Sequence, residues 1–280
     1  MMMRFRRNAT GPVRRTYAVG DIHGRFDLFR QLMAIVERDQ AALAPAVTQI
    51  VLLGDIIDRG PDSARMVKGC MRLTASTERF IVLKGNHEDM MVRALRGDLT
   101  IYRFWLAHGG RETLQSWDVD PAVSHGPPIL KNLQAAAEAV GDEVLDWLDN
   151  LPLHHTHGRH LFVHAGIRPG VALRKQRPND LMWITDEFLN SDAPHGFTVV
   201  HGHSIGEDGV VVRSNRIGID TGAYRTGRLT ALGIENGRTW ALDTLPPAKI
   251  ASDDEAMART FHNHGPVQGD GSTGLRVGDA

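Results

Sequence analysis

Side chains that are costly to bury recur where short apolar runs end. Asp21 and His23 follow Tyr17-Ala18-Val19, Asp55 and Asp58 follow Val51-Leu52-Leu53, and Asn86 and His87 follow Ile81-Val82-Leu83. His164 follows Leu161-Phe162-Val163, and His201 and His203 follow Val199-Val200. If these runs are strands of open α/β sheets, their carboxyl ends share a rim, which is where such sheets bind ligands. Carboxylate, imidazole and amide groups without a thiolate suit Mn²⁺, Fe²⁺ or Zn²⁺. About seven ligands exceed the needs of one ion and suit two ions about 3.5–4 Å apart that share a bridging carboxylate. Such a pair clamps a phosphate and acidifies a water between the ions. Asp21-x-His23 alone would read as a solvated turn. Five strand ends aimed at one rim read as a metal centre.

The elements that must position these residues read as strand, glycine-rich turn and helix in repetition. Strands are expected at 16–19, 49–53 and 79–83. A helix is expected at 26–38, from the spacing of Phe26, Phe29, Leu32, Met33 and Val36, and another at about 63–73. Parallel βαβ units follow from that order. Gly20, Gly24, Gly54, Gly60, Gly85, Gly166 and Gly202 flank the polar residues and permit the sharp turns they need. From about 99 to 151 the pattern is helical. Strand patterns return at 159–163, 198–200, 210–213, 216–219, 229–234 and 239–242. The fold class expected is α/β: a two-sheet β-sandwich flanked by helices, with a helical insertion over one edge. One domain spans 16–245; segments 1–15 and 246–280 are expected to be loose tails, with too little apolar surface to offset ordering.

Three motifs, Gly20-Asp21-Ile22-His23-Gly24, Gly54-Asp55-Ile56-Ile57-Asp58-Arg59-Gly60 and Gly85-Asn86-His87-Glu88, resemble those of the phosphoprotein phosphatase branch of the metallophosphoesterases. His164-Ala165-Gly166 and Gly202-His203-Ser204 resemble its two later histidine motifs, Ser204 standing where Thr is usual. Asp180-Leu181-Met182-Trp183 and Ile219-Asp220-Thr221-Gly222-Ala223 resemble segments of bacterial members. The resemblance covers about 16–235 and implies a calcineurin-like fold and a bacterial serine/threonine protein phosphatase-like enzyme. It implies that Asp21 and His23 bind the first metal, that Asp55 bridges, and that Asn86, His164 and His203 bind the second. His203 is preferred to His201, which is left to a supporting or packing role. Arg59 becomes a phosphate clamp with Asn86 near a phosphate oxygen, and His87, oriented by Asp58, protonates the leaving alkoxide. Two divalent ions are implied, Mn²⁺ foremost, with Fe or Zn²⁺ able to take the same ligands. Metal-bound hydroxide would attack phosphorus directly, and phosphoserine or phosphothreonine of a protein, or a small phosphoester, would be the substrate. An alkoxide leaves poorly, so a positioned acid is worth about 10²–10⁴-fold, and a carboxylate on the far side of an imidazole raises its basicity.

One departure stands out. Bacterial relatives of this pattern carry Arg after Trp-Ile, where this chain reads Trp183-Ile184-Thr185-Asp186. Arg168, Arg213 or Arg225 would then have to supply a second clamp. Two other readings compete with the monoesterase. A symmetrical dinucleoside tetraphosphate hydrolase has similar motifs, but that group lacks aspartate at the position of Asp58. A catalytically silent phosphate-binding module would account for Thr185, but not for the intact ligands and His87.

The composition narrows the class further. The 280 residues hold 32 Lys and Arg against 33 Asp and Glu, a net charge of -1, which argues against nucleic acid as partner. The one cysteine, Cys70, excludes a disulfide framework and fits a reducing, cytoplasmic setting. No apolar run approaches the roughly 20 residues that span a membrane, and the basic start lacks the apolar stretch of a secretory signal. Oligomeric state is not legible. His154, His155, His157 and His160 are expected at the surface, His262 and His264 in solvent, and Cys70 in the core. Trp105, Trp117 and Trp147 are expected to pack helices, while Tyr224 lies near the rim motifs in sequence.

Overall fold

A computed structural model describes residues 13–245. Strands β1 (Arg14–Val19), β2 (Val47–Leu52) and β3 (Phe80–Val82) pair in parallel through helices α1 (Phe26–Ala42) and α2 (Ser63–Ser76). A parallel pair needs such a crossover, which is why each turn is followed by a helix. β9 (Thr230–Glu235) joins β1 antiparallel and β10 (Arg238–Asp243) joins β9, giving the order β10-β9-β1-β2-β3. The second sheet consists of β4 (His154–His157), β5 (His160–Val163), β6 (Thr198–His201), β7 (Val211–Val212) and β8 (Arg216–Gly218) in the order β4-β5-β6-β8-β7. β5, β6 and β8 run parallel.

Side-chain alternation assembles the layers. Tyr17, Val19 and Leu52 face the helices, whereas Ala18, Val51 and Leu53, with Leu232 of β9, face the second sheet and meet Phe162, Val200 and Ile217. A one-residue slip would exchange these faces, so the polar residues just beyond each strand are fixed in position with the core. The outer face of the second sheet, with Leu161, Val163 and Val199, is covered by Leu181 of α9 (Pro178–Trp183) and Phe188 of α10 (Asp186–Leu189). The fold is the expected α/β sandwich of two sheets flanked by helices.

The helical insertion comprises α4 (Leu99–Trp105), a kinked link (Leu106–Gly110) with non-helical backbone at His108 and Gly109, α5 (Arg111–Ser116), α6 (Pro121–Ser124), α7 (Leu130–Val140) and α8 (Asp142–Asp149). It packs on α2 and on α3 (Asn86–Leu95), a helix that starts within the third motif and that apolar spacing alone did not reveal. Cys70, Trp117 and Trp147 pack where expected. Among the described residues no helix is long and apolar enough to cross a membrane.

Two expectations are corrected. Arg14 and Arg15, assigned to a tail, belong to β1, and buried Arg15 pairs with Glu235 at 2.6 Å and donates to the Ala44 carbonyl at 2.8 Å. The partners that order them lie far along the chain. The histidine tract is at the surface only in part: His154 is exposed, His155, His157 and His160 are half-buried, and β4 is a strand because β5 pairs with it. Segments 1–12 and 246–280, with His262 and His264, lie outside the described residues.

Candidate active site

Tight turns after β1, β2 and β6 build the rim. Among the described residues seven non-glycine residues have positive φ, and five of them are rim residues: His23 (49°), Asp55 (48°), Asp58 (71°), Arg59 (67°) and His203 (62°). Side chains enter this region at a cost and persist there only when surrounding contacts over-determine them. Those contacts are present. Ile22 and His23 N–H donate to the Asp55 carbonyl at 3.1 and 2.8 Å. The buried Glu88 carboxylate accepts from the backbone N–H groups of Asp55 and Gly85, both at 2.8 Å, and of Ile56 at 2.9 Å. A Cβ on Gly85 would fall 2.2 Å from Asp55 Oδ1, and one on Gly202 2.1 Å from Asp21 Oδ1, so only glycine lets these loops close.

Two groups of Asp and His share Asp55, and within each group the ligand atoms all lie within 4.8 Å of one another. In the first, Asp55 Oδ2 lies 3.7 Å from His23 Nε2 and 3.8 Å from His87 Nε2. In the second, Asp55 Oδ1 lies 3.4 Å from His164 Nε2, with His203 completing the group. Asn86 Oδ1 faces the second group, 2.8 Å from His164 Nε2 and 3.0 Å from His203 Nδ1. His23 Nδ1 donates to the Ile57 carbonyl at 2.9 Å and His164 Nδ1 to the Leu53 carbonyl at 3.0 Å. A carbonyl only accepts, so both rings keep an Nε2 lone pair turned toward Asp55, the orientation of metal-binding histidines. Burial holds His23 and His164 well below the usual histidine range and His203 at about 4. Burial, with repulsion from Asp220 and Glu88 respectively, raises the Asp21 and Asp55 carboxyls. Neutral imidazoles beside crowded buried carboxylates form a donor set that divalent cations complete.

His87 reaches in the opposite direction as well. Its Nδ1 donates to Asp58 Oδ2 at 2.6 Å, which leaves Nε2 facing the rim. Asp58 is fully buried and also accepts from Trp105 Nε1 at 3.0 and 2.9 Å and from Thr113 Oγ1 at 2.6 Å. Burial pushes the Asp58 carboxyl up to about 8, while burial and the Arg59 charge push the His87 imidazole well down. The two directions describe one shared proton. Three donors aimed at Asp58 favour its carboxylate form, so the proton belongs on His87 Nδ1. The Arg59 guanidinium crosses the first group, donating to His23 Nε2 at 2.9 Å and His87 Nε2 at 3.1 Å, with its Cζ 4.5 Å from the Tyr224 ring centre.

Asp21 lies outside both groups. Its carboxylate accepts from the His203 N–H at 3.1 and 3.2 Å, with the Asp220 carboxylate near enough to repel it. His201 turns away from the rim onto Phe188, with ring centres 5.2 Å apart, so His203 is the histidine that meets Asp55. Thr185 is exposed. Arg168 is committed to Asp180 at 2.7 Å and Glu187 at 2.6 Å, and Arg213 and Arg225 are exposed. Four residues of the site were not assigned from sequence: Glu88, Trp105, Thr113 and Asp220. Asp220 had a signal, a carboxylate just past a strand end. Trp105 was expected only to pack, and its indole N–H is instead a site hydrogen bond.

Residues 14–226 match the family described as calcineurin-like phosphoesterase. A symmetrical bis(5'-nucleosyl)-tetraphosphatase of Acidovorax sp. (strain JS42) is 32% identical over 157 residues, 55% of this chain and 44% of that protein. The asymmetrical bis(5'-nucleosyl)-tetraphosphatase PrpE of Bacillus cereus (strain Q1) is 26% identical over 234 residues, 76% of this chain and 88% of that protein. The chain spans less than half the length of the symmetrical relatives it matches, 44–46%. The crystal structure of the cold-active protein-tyrosine phosphatase of a psychrophile, Shewanella sp., superposes with a TM-score of 0.54 at 17% identity, covering 84% of this chain and 81% of that one. That likeness speaks to the fold.

Proposed function

Because the chain belongs to the calcineurin-like phosphoesterase family, we propose that its rim hydrolyses phosphate monoesters, with phosphoserine or phosphothreonine of proteins as the substrate class. Asp21, His23, Asp55, Asn86, His164 and His203 would hold two divalent ions, Mn²⁺ being our choice. When bound, the ions supply charge against the phosphoryl oxygens and acidify water. With Arg59 turned onto the phosphoryl oxygens, His87 Nε2 is free to take a proton from solvent and would give it to the leaving oxygen as the P–O bond breaks, while Asp58 stabilises the imidazolium through Nδ1–H. Arg59 exchanges its contacts with His23 and His87 for the phosphoryl oxygens, a planar fork suited to them. Asn86 lies beside the same oxygens.

The observation that carries this reading is the His87–Asp58 hydrogen bond at 2.6 Å beside the shared Asp55. A nucleotide leaving group is a stabilised anion and gains little from a proton donor, whereas an alkoxide needs one. A second reading, hydrolysis of dinucleoside tetraphosphates, is favoured by the names of the curated relatives. The test compares turnover of a phosphoserine peptide, p-nitrophenyl phosphate and diadenosine tetraphosphate by Mn²⁺-loaded protein, with and without chelator. Fastest chelator-sensitive cleavage of the monoesters supports the first reading. Cleavage confined to the dinucleotide establishes the second, and no cleavage by metal-loaded protein leaves a binding module.

A further inference from the structure

The proton-donating pair is gripped by a part of the chain remote from every motif. Trp105 ends α4 and Thr113 lies in α5, so they bracket the kinked link, and both are fully buried. Trp105 Nε1 donates to both Asp58 oxygens, at 3.0 and 2.9 Å, and Thr113 Oγ1 donates to Oδ1 at 2.6 Å, which leaves Oδ2 turned to His87 Nδ1. The Asp58 N–H is held from the same side, donating to Thr113 Oγ1 and Ser63 Oγ, both at 3.0 Å.

The kinked link also closes on the backbone of the second motif. Arg59 N–H donates to the Gly109 carbonyl at 3.2 Å. Gly109 has φ 111°, and a Cβ there would fall 2.5 Å from Arg59 N. A Cβ on Gly110 would fall 2.5 Å from the Trp105 ring. Packing alone would be served by phenylalanine at 105; a buried indole N–H whose partner is a carboxylate carries directional information that a phenyl ring lacks. Neither Trp105 nor Thr113 belongs to the ligand groups or faces the space between them.

We propose that Trp105, supported by Thr113, is a positioning residue for the proton donor. It locks the Asp58 carboxylate so that His87 presents Nε2 to the leaving oxygen, and the helical insertion thereby sets how well the enzyme expels a poor leaving group. The inference rests on the reading of His87 as proton donor given above.

The experiment measures kcat and KM for aryl phosphates of rising leaving-group pKa, from 2,4-dinitrophenyl to phenyl phosphate. It uses wild type, Trp105→Phe, His87→Asn and the double variant, each with its bound Mn²⁺ counted. Trp105→Phe should lower kcat on phenyl phosphate about tenfold, a fraction of what a positioned acid supplies, while sparing 2,4-dinitrophenyl phosphate, KM and bound metal. In the His87→Asn background it should cost nothing more. Thr113→Val, which deletes a single hydroxyl, should tilt the series the same way and keeps the test open if Trp105→Phe fails to fold. A steep series for His87→Asn with an unchanged slope for Trp105→Phe overturns this inference alone. So does a loss equal across all leaving groups, or one additive with His87→Asn. A flat series for His87→Asn overturns it together with the proton-donor reading.

Discussion

Strand β5 has a histidine at each end of its apolar run, and the two belong to different chemistries. His160 opens the strand beside the histidines of β4, and His164 follows it at the rim. Burial lowers His155, His157 and His160 in the first group, as it lowers His164 in the second. Desolvation acts in both groups, more fully at the rim, where His164 is wholly buried while His155, His157 and His160 are half-buried. At the β4 end the ring nitrogens meet neutral groups, His157 Nδ1 with Thr16 Oγ1 at 2.6 Å and His155 Nε2 with Gln49 Nε2 at 3.2 Å. At the rim His23 and His164 are pinned through Nδ1 to backbone carbonyls and turn Nε2 toward a shared carboxylate. A buried histidine cluster becomes a candidate metal centre when fixed tautomers meet a crowded carboxylate. Clustering of histidines alone makes an inter-sheet polar contact.

The sharpest way to break this contrast is to remove what the rim has and the β4 end lacks. Asp55→Asn should lower hydrolysis of p-nitrophenyl phosphate by about a thousandfold, the loss of several kcal/mol of charge stabilisation, and should reduce bound Mn²⁺. His87→Asn should lower kcat for poor leaving groups by about 10²–10⁴-fold with bound metal unchanged, which separates proton donor from ligand. Glu88→Gln sets an amide N–H₂ against backbone N–H donors and loosens the turn that presents Asp55. It should raise the Mn²⁺ concentration for half-maximal activity about 10–100-fold, the usual cost of losing an outer partner. At the other end of β5, His157→Leu should leave kcat and KM unchanged and lower stability by about 1 kcal/mol through the lost Thr16 hydrogen bond, read from urea unfolding. A comparable loss of activity in His157→Leu would erase the distinction between the two histidine groups.

Much of the rim was legible because its information is local. His23, Asp55 and Asp58, and Asn86 and His87 lie in turns directly after apolar strands and converge, whereas Asp21, in the same turn as His23, lies outside both groups. The choice of His203 over His201 came from the resemblance, and the structure turns His201 to the opposite face of the sheet. What failed to be legible depends on distant partners. Trp105 and Thr113 reach Asp58 across 47 and 55 residues, a separation that no spacing rule connects. Arg14 and Arg15 looked like tail because the pairing with Val47 and Thr48 that makes them strand comes from elsewhere in the chain. β4 has little strand propensity of its own and is a strand by pairing with β5. Helix α3 was hidden because its first turn is also the third motif.

The central claim is that Asp55 joins two cation-binding groups into one hydrolytic centre. The most direct test is the number of Mn²⁺ ions bound per chain, measured by plasma mass spectrometry on dialysed protein whose p-nitrophenyl phosphate turnover is followed in parallel. The account predicts about two ions per chain, falling together with turnover as chelator is added. Turnover that persists after the metal is gone, or full turnover with a single ion bound, would contradict it.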